Sequence, residues 1–409
     1  MTEAAPDHRG RPRHLTSVTV PATHPPRRGQ QVRTAGVLGN LGPGWLVDSW
    51  SLMIQRTDLP MPRRHHAVTP TWTDHRTFDP LSLAWVGALT RLGCPPVHVS
   101  TAASLLPHRR LRRELRAASL VMVDSPYAVA WVRAATPRAT PVVMNAHNIE
   151  TGLYPAESGW RQRVASEIER CEAAALRAAA LVFVPSDDDA RRATDIGAHR
   201  VVVVPNGVDL DRFWRADADR RPALRVELGL PADRRLAVFT GAGHPPNAEA
   251  VLILEQHAEA YAAADVTVMI VGRCGVGRAP VRNVIHVGEV PEVAPYLAVA
   301  DVGVCPLRSG GGTSFKTIEY LAASLPVVTT PVGARGLRLV AGRDAVVCEA
   351  DEMPGQVRGL LANPLGAASL ADAGRTAAEA FSWAGIGAVA AVALDEVLEG
   401  RPAGPARVA

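Results

Sequence analysis

Short apolar runs recur along this chain, and each is followed by a polar or Gly/Pro turn and then an Ala/Leu/Arg-rich stretch of helical pattern. A strand buried on both faces reads as such a continuous apolar run. A helix after each strand carries the chain back to start the next strand in parallel. The alternation therefore predicts α/β architecture with parallel sheets. Strands are expected over residues 14–20, 120–124, 141–145, 181–185 and 201–204. A second, similar set is expected over 235–240, 266–271, 284–287, 302–305 and 326–329. Between the sets lies 206–233, rich in turn and charged residues. At 409 residues the chain is too long for one ordinary core. Two Rossmann-like domains follow: a disordered polar tail over 1–13, a first domain over 14–206, a linker over 207–233, a second domain over 234–383 and a C-terminal helix over 384–400.

Composition narrows the class. The hydrophobic fraction is 47%, the charged fraction 21% and the net charge only +4. That suits a soluble globular protein, is too weak a charge for nucleic acid, and leaves room for anionic small molecules or, locally, anionic lipid. The five cysteines are scattered, with no C-x-x-C and no zinc-like His spacing. They read as free thiols in a reducing cytoplasm. The N-terminus lacks the apolar core of a signal peptide, and no run approaches the roughly 18–20 apolar residues of a membrane helix.

In open parallel sheets, ligands bind at the carboxyl ends of the strands. His24 and Gly29, then Arg28 and Arg33, follow the first expected strand. His147, Asn148 and Glu150 follow the strand ending at Asn145. Gly241 and Gly243 follow 235–240, and Arg273 follows 266–271. Gly, His, Asn and Arg thus collect at strand ends of both halves, which suggests a cleft between facing domains. The sharpest signal follows 302–305. Of 44 lysine and arginine residues only residue 316 is lysine, and it closes Gly310-Gly311-Gly312-Thr313-Ser314-Phe315-Lys316. Glycines let the backbone approach a ligand, and a helix beginning near Thr313 offers free N–H groups and a positive dipole end to an anion. A lysine in a first helical turn opposes that dipole by up to ~1 kcal/mol, which an intervening anion would relieve. Lys316, Glu319, Tyr320 and Ala323 are expected on one face, with Phe315, Ile318, Ala322 and Leu325 on the buried one.

Simpler readings exist for each feature. Glu319 could pair with Lys316, although it lies too far along for a capping box. A P-loop would need glycine where Phe315 stands. Asp187–Asp189 could suggest a metal, but they open a helix after Ser186, where acids are favoured by the dipole. His147 could be a structural histidine. Arg109, Arg110, Arg112, Arg113 and Arg116, around Leu111 and Leu115, read as a solvated basic helix or as a dock for anionic membrane.

Val204-Pro205-Asn206-Gly207-Val208-Asp209, the segment 239–247 and above all Gly311-Gly312-Thr313-Ser314-Phe315-Lys316-Thr317-Ile318-Glu319-Tyr320 with Pro326–Thr330 resemble the family 4 glycosyltransferases, retaining enzymes of the GT-B fold. His147-Asn148-Ile149-Glu150 also matches. The resemblance implies hexosyl transfer from a nucleoside-diphosphate sugar, UDP-sugars favoured, to a small-molecule, glycan or lipid-linked acceptor hydroxyl, with no metal and no cofactor. It makes the first domain the acceptor domain and the second the nucleotide-sugar domain. It implies ribose contact by Glu319, diphosphate contact by the amides of Thr313 and Ser314 with Lys316 nearby, and base contact around 288–291, including Val290. Gly29, Arg33, Gly241, Gly243, Arg273, Gly311 and Gly312 would also serve the donor. His147 would lie at the reacting carbon, and His24, Asn148 and Glu150 near the sugar or acceptor. Two departures stand out. The first acid of the family's E-x7-E is Gly311, and the usual Arg…Lys pair is replaced by Gly243-His244-Pro245-Pro246-Asn247. A GT-B nucleotide-sugar epimerase and a non-catalytic partner subunit are therefore the alternatives. The expected location is cytoplasmic, with peripheral contact at the inner membrane face through the basic helix.

Overall fold

A computed structural model describes residues 12–20, 22–26, 29–52, 65–76, 80–92, 94–104, 108–151 and 160–401. Most of the expected tail, and Arg28, lie outside these residues. The chain forms two compact units. One runs to Pro205 and takes in the chain from Trp383 onward; the other spans Asn206–Ser382.

The first unit holds an eight-stranded sheet of β1 (Arg13–Thr19), β2 (Trp45–Ser51), β3 (His65–Thr69), β4 (Trp72–Arg76), β5 (Val121–Val123), β6 (Val142–Asn145), β7 (Leu181–Val184) and β8 (Val201–Val203). Their order is β3-β4-β2-β1-β5-β6-β7-β8, parallel except for β3 against β4. Strands β5, β6 and β7 are buried throughout, as their apolar runs require. Strands β2, β3 and β4 were not expected from the sequence. Their Ser, Asp, His and Thr residues break the apolar pattern, and three buried residues bond across strands: Ser49 Oγ donates to Asp74 Oδ1 at 2.7 Å and Trp72 Nε1 to Ser49 Oγ at 2.9 Å.

The helix Trp383–Leu398 belongs to this first unit and packs on the helix Gly29–Gly39. The approach depends on glycine: a Cβ on Gly36 would stand 2.3 Å from the Trp383 ring, and one on Gly387 2.1 Å from the Asn40 carbonyl. Two arginines fasten the far end, Arg13 to Asp395 at 2.6 Å and Arg200 to Glu396 at 2.6 Å.

The second unit holds a six-stranded parallel sheet of β9 (Arg235–Thr240), β10 (Val266–Val271), β11 (Val284–Gly288), β12 (Val302–Cys305), β13 (Val327–Thr329) and β14 (Val346–Val347), in the order β11-β10-β9-β12-β13-β14. This is the Rossmann order, in which the strand sequence reverses between β9 and β12. The expected linker needs correction. Within 207–233 the helix Arg221–Glu227 forms part of the second unit, and buried Arg225 donates to the Val299 carbonyl (3.0 and 2.7 Å) and pairs with Asp301 at 2.7 Å. Arg225, charged and so read as linker, is there satisfied at the start of β12, a central strand of the sheet.

Candidate functional site

In the second unit the loops after β9 and β12 flank the reversal point. The glycine-rich loop runs through Gly310 (φ +131°) and Gly312 (φ +65°), conformations that favour glycine. Its carbonyls are pinned. Arg335 donates to Gly310 O at 2.6 Å and to Gly312 O at 3.2 Å, and Asn206 Nδ2 donates to Thr313 O at 3.1 Å. A trans peptide sets each carbonyl opposite the next N–H. The amides of Gly311, Thr313 and Ser314 therefore face away from these pins. The helix begins at Phe315 rather than near Thr313, and Ser314 is its N-cap without a side-chain cap bond. Its first-turn N–H groups thus lack that partner, the arrangement that receives an anion.

Lys316 lies in that turn. Its Nζ donates to Asn247 Oδ1 at 3.0 Å and stands 5.3 Å from the centre of the Phe239 ring. Asn247 is itself held by its Nδ2, which donates to the Ala242 carbonyl at 2.8 Å. The segment that replaces the family's Arg…Lys pair thus supplies an acceptor that aims the lysine. An ammonium has three N–H donors, so this bond leaves others for a ligand. Glu319, one turn on, is half-buried, and among the described residues its carboxylate has no hydrogen-bond or ion-pair partner. Burial pushes its carboxyl up to about 7, against the pull of Arg212 and Lys316. Ion pairing with Lys316 is not what holds it.

Tyr320 departs from expectation. It is fully buried, fills the space over Gly303, and its hydroxyl accepts from Thr240 N at 2.7 Å. Helical spacing places it beside Lys316, but the missing side chain at Gly303 opens room inward. Gly241 lies close to Asn247 and Cys274, with a Cβ there 3.0 Å from Asn247 Cγ. Gly243 and Arg273 are exposed, with Arg273 Nε 3.8 Å from Glu289. Val290 is half-buried beyond β11, and Gly311 is exposed.

In the first unit a polar network collects at the ends of β1, β5 and β6, at that sheet's own reversal point. Asp124 accepts from Thr34 Oγ1 and, at 3.2 Å, from Asn145 Nδ2. Burial pushes its carboxyl up to about 6. His147 Nε2 lies 3.9 Å from Asp124. Burial and then the Arg33 charge push His147 down to about 3, so the ring is neutral and the approach is not an ion pair. Its Nδ1 is buried without a partner. Arg33 is 1% exposed and donates to the Val204 carbonyl at 2.6 Å. Gly29 opens the helix that carries Arg33 and Thr34. Glu150 is taken up by Tyr127, whose hydroxyl donates to it. Asn148 is half-buried. His24 stacks on His66 with ring centres 4.9 Å apart. Asp189 accepts from Ile149 N at 3.2 Å, and Ser186 caps its helix through the Asp189 amide at 3.1 Å. Sequence reasoning missed Asp124, Thr34, Asn247 and Arg335 as parts of these sites. Only the position of Asp124 directly after an apolar strand signalled its role.

Leu111 and Leu115 are fully buried, so the basic helix presents its arginines, with Glu114 and Ala117, and neither leucine. Among the described residues no helix is long and apolar enough to cross a membrane.

Two family models match the chain: "Glycosyltransferase Family 4" over residues 62–212 and "Glycosyl transferases group 1" over 234–363. The chain is 31% identical over 238 residues to a D-inositol 3-phosphate glycosyltransferase of Xylanimonas cellulosilytica, covering 51% of this chain and 53% of that one. It is 27% identical over 277 residues to an alpha-maltose-1-phosphate synthase of Mycobacterium tuberculosis, covering 60% and 70%. The matches span about half the length of most such relatives. A crystal structure of Anabaena HepE in complex with UDP superposes with a TM-score of 0.68 at 17% identity, over 94% of this chain and 100% of that one. The fold is GT-B.

Proposed function

Because the chain belongs to the family 4 glycosyltransferases, we propose that it moves a hexosyl unit from a nucleoside-diphosphate sugar to an acceptor hydroxyl, with retention and without a metal. One observation carries this reading: the loop 310–314 has its carbonyls pinned and leads into a helix that carries Lys316 and an unpartnered Glu319. A diphosphate leaving group needs charge stabilisation more than a strong base. Well-placed donors are each worth ~3–4 kcal/mol to a developing anion. Thr313 and Ser314 amides and Lys316 Nζ take the diphosphate, and the Glu319 carboxylate accepts from ribose hydroxyls. Gly241, Gly243, Arg273, Val290, Gly311 and Gly312 line the donor's path. His147, neutral at working pH, hydrogen-bonds the sugar at the reacting carbon, and Asn148, Glu150 and His24 serve the sugar or acceptor. HepE has been crystallised with UDP and with UDP-glucose, which favours a UDP-sugar here. The acceptor is a small molecule, glycan or lipid-linked hydroxyl. Contact with the inner membrane face would be electrostatic, through the arginines of 109–116, because Leu111 and Leu115 cannot leave the core.

The test is calorimetric titration with UDP, GDP, dTDP, ADP and ATP, with and without magnesium, repeated on Lys316→Ala and Glu319→Gln. Metal-independent binding of one nucleoside diphosphate, lost in both variants, is the expected result. Magnesium-dependent ATP binding would point to a P-loop instead. Gly311, where the family carries an acid, favours one second reading, a partner subunit that has lost catalysis. That reading predicts no binding by any of the five nucleotides.

A further inference from the structure

At the opposite end of the second sheet from the glycine-rich loop lies a cavity of about 450 Å³. Strand β9 separates the two ends by about 17 Å, at ~3.3 Å per residue. Arg215, Arg221 and Arg235 line the cavity, with Asp301 and Asp372 as its acids. These acids do not neutralise the arginines. Asp301 Oδ2 already accepts from buried Arg225 (2.7 Å) and from Leu236 N (2.8 Å), leaving Oδ1 for Arg221 at 3.2 Å. Arg221 Nε is enclosed without a hydrogen-bond partner. Arg215 spends one bond on the Ser324 carbonyl at 2.7 Å, and burial with the neighbouring Arg221 charge holds its guanidinium below the usual range. The remaining wall is small and apolar, from Ala367, Ala368 and Ala371 of the helix Pro364–Glu379.

We propose that this cavity is a second ligand site, for a small phosphate ester. Planar guanidinium forks match phosphate oxygens in pairs. The crowded cations gain most from a dianion, because Asp301 is already shared with Arg225 and Leu236 N. The volume lies in the range of small-molecule pockets and exceeds what a bare ion needs. The ester's body then rests on the alanines.

Glucose 6-phosphate and inorganic phosphate, titrated calorimetrically into the full chain, serve as probes. Arg235, Ala368 and Asp372 are exposed, so their variants keep the fold. The ester is expected to bind saturably and more tightly than inorganic phosphate. Arg235→Glu and Ala368→Trp should weaken it at least roughly tenfold, and Asp372→Asn should strengthen it roughly threefold. Lys316→Ala should leave it unchanged, which separates this site from the donor site whatever becomes of the transferase reading. Equal affinity for the two probes would overturn the ester. No saturable binding, or binding indifferent to the three cavity variants, would overturn the site.

Discussion

Glu319 shows how a residue's cost to the fold marks its use. Its carboxyl is raised from the ordinary 4.5 to about 7 by burial. Between those values the folded chain holds more protons than the unfolded one, so stability is lost as pH rises through the window. Glu319→Gln removes that loss. Thermal unfolding should find the variant more stable than wild type above pH 7, by at most about 3 kcal/mol, and equal to it below 4.5. A variant no more stable at high pH would mean the carboxylate is solvated. As the proposed ribose acceptor, the same group predicts nucleotide affinity that falls as pH drops below about 7. Its place in Ser314-Phe315-Lys316-Thr317-Ile318-Glu319 was legible from sequence, because helical spacing alone puts it one turn from Lys316. The inward turn of Tyr320 was not, since it depends on Gly303 in a different strand.

At the scale of elements, the apolar strands were legible because burial on both faces imposes one pattern on them. The edge hairpin of β3 and β4 was not, because its buried Asp74 and Trp72 both bond to Ser49 on a neighbouring strand. No local rule anticipates such a pairing. Helix packing in the first unit gives a sharper test. Gly36 lies within a helix, where alanine would gain up to ~1 kcal/mol in propensity. Against that, its Cβ would meet the Trp383 ring at 2.3 Å, and overpacking of this kind costs ~1–3 kcal/mol. The clash should win. Denaturant unfolding of Gly36→Ala is expected to show a net loss of up to about 2 kcal/mol, and a gain would mean that Trp383 yields freely.

For the whole molecule, the chain leaves the first unit at Pro205 and rejoins it at Trp383. Ending the chain after Ser382 would strip the helix Trp383–Leu398 from the helix Gly29–Gly39 and remove the partners of Arg13 and Arg200. Calorimetry of that truncation should show one transition lowered, from the first unit, and one kept, from the second. Two unchanged transitions would mean the helix adds nothing. The second unit carries one more property that only the chain as a whole confers. Its ε-amine is unique in the sequence and stands between an amide oxygen and a phenyl face. Reductive methylation with isotope-labelled formaldehyde would therefore plant a single side-chain probe at the glycine-rich loop, a built-in reporter whose resonance shifts with whatever enters there.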